Sequence, residues 1–139
     1  MAILWENDSS TGCTFETWEG AVSFEEWLRH VQAVVTDPNW PAGKRHLVDL
    51  KRTKDFSDIF ESDLDEVSSL ISIYEDRVVG VKLAIIADPG VRKPELFIQF
   101  LSTIGVEGKV FVDLAAACQW LNLDPAQAEQ KLQQLRNAG

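Results

Sequence analysis

Two groups of side chains in this sequence have residue types suited to binding chemistry. Lys51, Arg52 and Lys54 follow one predicted strand, while Arg92 and Lys93 follow the next and directly precede a predicted helix. They are five of the 13 basic residues of an otherwise acidic chain. Cations beside a helix N-terminus attract anions, so a phosphate, a carboxylate or an acidic partner could dock there. The same side chains also balance Asp55, Asp58, Glu61 and Asp63, the solvated alternative. The second group is Asp49, Asp88 and Asp113, each at or near a predicted strand end. Converging there, they could hold a hard cation such as Mg²⁺ or accept a phosphoryl group. Each also has an ordinary role: Asp113 caps a helix, Asp88 opens an Asp-Pro-Gly turn and Asp49 ends a strand. The adjacent acidic pair that a phosphoryl-accepting site needs is missing, so no metal is expected.

Other chemistries find little support. His30 is expected on the polar flank of a helix, and His46 within a strand. Neither has a serine or cysteine at nucleophile spacing, and no G-x-S-x-G elbow occurs. Glu25-Glu26 and Glu16/Glu19 could pair as acid and base, but acidic pairs on exposed faces are common. The glycines stand singly, so no phosphate-cradling loop forms. No enzyme activity and no cofactor are expected. Trp27 and Trp120 fall on predicted core faces, and Trp5 and Trp18 are expected to pair across a hairpin. Trp40, between Pro38 and Pro41, is expected either to plug the end of the first helix or to line a pocket or anchor a partner.

The elements that must position these residues follow from periodicity. Ile3–Glu6 and Thr14–Glu19, separated by a turn-rich stretch, predict an antiparallel hairpin. Residues 22–35 predict a helix, capped by Ser23 with Glu26 completing a capping box. Its apolar stripe is Phe24, Trp27, Leu28, Val31, Val34 and Val35, with Val22 stapled on Trp27. A strand is expected at 45–50, a helix at 63–74 capped by Ser62, and a fully covered strand at 79–87. A third helix opens at Pro94 and stops at Gly105. A last strand spans 109–112, followed by a short helix capped by Asp113 and a polar tail helix from Asp124-Pro125. That tail is expected to pack on its own domain or on a neighbour through Ala128, Leu132 and Leu135. Strands alternating with helices require right-handed crossovers. The fold class is therefore α/β. A mixed, mostly parallel sheet of about five strands carries an N-terminal antiparallel hairpin, with four to five flanking helices in one domain, 1–139.

Composition limits the partners. With 139 residues and 45% apolar content, the chain can enclose one core. Its net charge of −9 repels polyanions, so nucleic acid is not an expected partner. Cys13 and Cys118 show no metal-ligand spacing and are expected as free thiols in a reducing compartment. The first residues lack a signal-peptide pattern, and the greasiest run, 78–87, is too short to span a bilayer. A cytoplasmic protein without an integral membrane segment is expected.

Four stretches together resemble the SpoIIAA-like branch of the STAS superfamily, loosely grouped with CRAL-TRIO domains. They are the hairpin with Trp5 and Trp18, Ser23-Phe24-Glu25-Glu26-Trp27, His46-Leu47-Val48-Asp49-Leu50, and Val110-Phe111-Val112-Asp113 with Ala116-Ala117-Cys118-Gln119-Trp120-Leu121. The resemblance implies a bacterial, non-catalytic regulatory domain that binds a protein partner through residues 51 to 66; a homo-oligomer would instead form through the tail helix. It also implies phosphoacceptor candidates after the Asp49-Leu50 strand end, here Ser57 and Ser62. The family's paired hydroxyls and glycine are replaced by Asp55-Phe56-Ser57-Asp58. The alternative it implies is a binder of a small apolar or amphipathic, lipid-like ligand, walled by Leu64, Val67, Ile71, Phe97, Phe100 and Leu101.

Overall fold

The computed structural model describes residues 2–139, apart from the side chain of Lys54. Five strands form one sheet in chain order: β1 (Ile3–Asp8), β2 (Cys13–Ala21), β3 (Arg45–Asp55), β4 (Lys82–Ile86) and β5 (Glu107–Phe111). β1 runs antiparallel to β2, and every other neighbouring pair is parallel, as expected. From β2 onward each crossover steps in the same direction. Right-handed connections then place every crossover helix on one face. That face carries α1 (Phe24–Thr36), α2 (Glu61–Ser72) with the short α3 (Glu75–Val78), and α4 (Lys93–Ser102). α5 (Leu114–Leu121) and α6 (Pro125–Ala138) follow the last strand and cover the opposite face.

This layering divides the core in two. Trp18, Val48, Leu83 and Ile85 meet α1, α2 and α4 on the crossover side. Cys13, Phe15, Leu47, Ala84 and Ile86 meet α5 and α6 on the other. Because β2 is flanked by β1 and β3 and covered on both faces, all six residues from Cys13 to Trp18 are buried. Both cysteines are free and buried. Burial pushes the Cys13 thiol up to about 12, and burial followed by Asp124 and Glu129 pushes Cys118 to about 11.

Local differences from expectation have physical causes. Ser23 does cap α1, accepting from the Glu26 amide at 3.1 Å. The Glu26 carboxylate instead accepts from the Ala2 amide, tying β1 to the helix rather than closing a capping box. α2 begins at Glu61, so Ser62 lies inside its first turn and is not the cap. The Asp63 carboxylate accepts from the Phe60 amide at 2.8 Å and secures that end. β3 runs on to Asp55 because β2 pairs with it as far as Ala21. β4 starts three residues later than expected, since Glu75–Val78 coils into α3. Gly43, at φ +53°, packs so closely on the Gly12 carbonyl that an added Cβ would lie 2.2 Å from its oxygen. The hairpin turn and the β3 approach therefore fit together only without a side chain there.

Candidate functional site

A pocket of about 120 Å³ lies between the crossover face of the sheet and α1, α2 and α4. Its walls are apolar: Trp18, Trp27, Val31, Leu83, Ile85 and Phe97 are among them. Trp27 and Phe97 meet edge to face at 5.1 Å, and Trp18 leans on Trp27. The partly exposed lining residues Phe56, Lys93 and Phe97 stand together beyond the carboxyl ends of β3 and β4. Open parallel sheets receive ligands on that side. Lys93 Nζ donates to the Phe56 carbonyl and bridges the two segments there.

One polar cluster interrupts the apolar wall. Glu16 on β2 and His46 on β3 share the crossover face, since Glu16 is level with Val48 and Thr14 with His46. His30 enters from α1. Nε2 of His30 and Nε2 of His46 each lie 2.9 Å from Glu16 Oε1. Trp18 Nε1 donates to Oε2 at 2.6 Å. Glu16 is 4% exposed, and a buried carboxylate needs such donors to remain ionised. Burial opposes its charge, but the charge and hydrogen bond of His30, with the hydrogen bond of His46, outweigh burial and hold the carboxyl well below the usual range.

The loop before β3 completes the arrangement. Trp40 Nε1 donates to His46 Nδ1 at 3.1 Å. An indole can only donate, so His46 Nδ1 is the acceptor and the ring proton sits on Nε2, aimed at Glu16. That tautomer leaves Nε2 without a lone pair for a metal, although two histidines and a glutamate converge. Among the described residues, no group of three His, Cys, Asp or Glu is arranged to hold an ion. Trp40 is itself held by Arg77, whose guanidinium donates to the carbonyls of Val35, Asp37 and Trp40. His30 is steadied by Trp5, edge to face at 5.9 Å.

The residues singled out from sequence are distributed differently. Lys51 pairs with Asp88 at 3.4 Å and Arg52 with Glu19 at 3.6 Å, all well exposed. Arg92 is exposed before α4, Lys93 turns to the pocket mouth, and the Lys54 side chain lies outside the described residues. Asp49 does not face Asp88 or Asp113 as a shared site. It bonds Arg136 of α6 and the Lys51 amide on the other side of the sheet. Asp113 caps α5 through the Ala116 amide. Ser57 is exposed, its amide bonded to Asp55, and Ser62 is exposed in α2.

The polar cluster was missed, and two signals for it were present. His30 is three residues after Trp27 and four before Val34, so it belongs to the inner stripe rather than the polar flank. Glu16 and Trp18 share strand parity, so a buried Trp18 carries Glu16 inward with it. The expected Trp5–Trp18 pair is replaced by Trp5 on His30 and Trp18 on Trp27 and Phe56. Trp40, open between a plug and a pocket wall, lines the pocket and is 8% exposed. No family model matches the chain, and no curated protein matches it.

Proposed function

We propose that this protein is a non-catalytic binder of a compact, largely apolar small molecule, held between the sheet and α1, α2 and α4. The pocket carries this reading: it is apolar, preformed and about 120 Å³, and an apolar cavity of about 150 Å³ accommodates benzene. That volume suits a single ring or a short chain rather than an extended lipid. No hydroxyl or thiol side chain lines it among the described residues, which favours holding a molecule over acyl or group transfer. Titration with toluene, followed by protein NMR, tests this. Val31→Phe, which fills the pocket, should abolish saturable shifts while the protein still unfolds cooperatively. Absence of binding to the native protein at millimolar toluene would sink the reading, as would unchanged binding in a folded Val31→Phe.

A second reading, a STAS-like interaction domain of a bacterial cytoplasm, draws support from one observation on the surface at 51 to 66. Phe60 is 64% exposed there, and a large apolar side chain among charges can anchor a partner. The two free cysteines fit a reducing compartment. Replacing Lys51, Arg52 and Lys54 with alanine should abolish recovery of the partner in pull-downs from the native host. Retention would remove that surface from consideration.

A further inference from the structure

The polar end of the pocket restricts what its occupant can be. There the indole donors and His46 Nε2 are spent: Trp18 Nε1 and His46 Nε2 on Glu16, Trp40 Nε1 on His46. An ionised carboxylate offers about four lone-pair directions, and His30, His46 and Trp18 take three of Glu16's. What remains facing the pocket is an acceptor that carries negative charge. An anionic head group would place a second negative charge beside Glu16 within apolar walls, where like charges are poorly screened. An ammonium would lose its hydration for the single acceptor direction left on a carboxylate that already holds three donors, and desolvation outweighs that return. A neutral donor gains the remaining hydrogen bond at no such cost. Trp18, Trp27 and Phe97 supply faces and edges for a flat ring.

Resting on the small-molecule reading above, we infer that the occupant is a neutral, single-ring molecule with one hydroxyl or N–H donor, a phenol being the simplest, bound with that donor on Glu16. An acid with its carboxylate on Glu16 is excluded by the same geometry; Lys93, the one ammonium lining the pocket among the described residues, lies at the mouth with Nζ on the Phe56 carbonyl.

Calorimetric titration of the full chain at neutral pH with toluene, p-cresol, p-toluate and 4-methylbenzylamine decides this. The four share a methyl-substituted ring and differ at the polar end. p-Cresol is expected to bind about tenfold tighter than toluene, the range for one hydrogen bond to a charged group offset by hydroxyl desolvation. p-Toluate and the amine should each bind more weakly than p-cresol. Glu16→Gln, which removes the charge but keeps one acceptor oxygen, should narrow the gap between the p-cresol and toluene affinities while toluene binding persists. Equal affinities in the native protein, or tighter binding of the acid or the amine, would overturn the head-group assignment and leave the pocket reading standing. Failure of all four would overturn both. The native panel settles the inference even if Glu16→Gln folds poorly.

Discussion

Two buried carboxylates show how single side chains organise this protein. Glu16 gathers His30, His46 and Trp18 and so ties β2, β3 and α1 together. Asp8, 6% exposed, does the same at the hairpin turn: it accepts from Ser10 and Thr11 and pairs with Lys131 of α6 at 3.1 Å. Burial works against its charge, but the hydrogen bonds from Thr11, Ser10 and Lys131 prevail and lower its pKa from 3.8 to about 2. A carboxylate with a lowered folded-state pKa stabilises the fold above its unfolded value and loses that contribution as pH falls through the folded one. Asp8→Asn should therefore cost on the order of 2 kcal/mol at pH 7. Urea unfolding as a function of pH should show the gap from the native protein constant above about pH 5 and closing between about pH 4 and pH 2. A gap that persists at pH 2 would assign the loss to packing instead.

At the scale of elements, the site depends on a connection rather than on a regular segment. The loop from α1 to β3 carries Trp40, and Arg77 of α3 holds it by three carbonyls at the end of α1. The Asp37 carbonyl also accepts from the Trp40 amide at 3.1 Å, but those of Val35 and Trp40 rely on Arg77 in a half-buried place, where an unmade hydrogen bond is costly. Lys44 in turn donates to the carbonyls of Arg77 and Val79 at 2.8 and 3.1 Å, closing the link between loop and α3. Arg77→Ala should lower stability by about 3 kcal/mol, measured by urea unfolding. It should also weaken toluene binding, since Trp40 and His46 line the pocket. Arg77→Lys should recover only a fraction, because an ammonium cannot reproduce the planar fork. Full recovery would mean that charge alone matters.

For the molecule as a whole, the sheet needs a cover on each face, and the two covers differ in kind. The crossover helices are committed by chain direction, whereas α5 and α6 are appended after the last strand. α6 is polar, yet its buried Ala128 and Leu132 with partly buried Leu135 close the second half-core over Phe15 and Leu47. Asp49–Arg136 and Asp8–Lys131 fasten it to the sheet. The tail thus packs on its own domain. Ending the chain at Leu123 should expose that half-core and leave a compact state lacking fixed packing. Loss of the near-ultraviolet circular dichroism signal and gain of dye binding, with far-ultraviolet signal largely kept, would be the result. A truncated chain with a sharp, native-like transition would show that α6 is dispensable.

Hydrophobic periodicity, caps and turn residues by themselves determined the α/β class, the parallel run after the hairpin, Ser23 on α1 and Asp113 on α5. These are local signals: a 3.6-residue or two-residue repeat and a cap need only neighbours in sequence. The site was decided by tertiary structure. β2 looked like half of an exposed hairpin until β3 paired with its far side, which turned Glu16 from a surface acid into a buried one. His30 and His46 are 16 positions apart and meet only because the crossover lays α1 over β2 and β3. Asp49 was drawn away from Asp88 and Asp113 by Arg136, 87 residues further along the chain. Helical spacing and strand parity point His30 and Glu16 inward, but burial on a second face and the meeting of charges from distant segments are properties of the packed molecule.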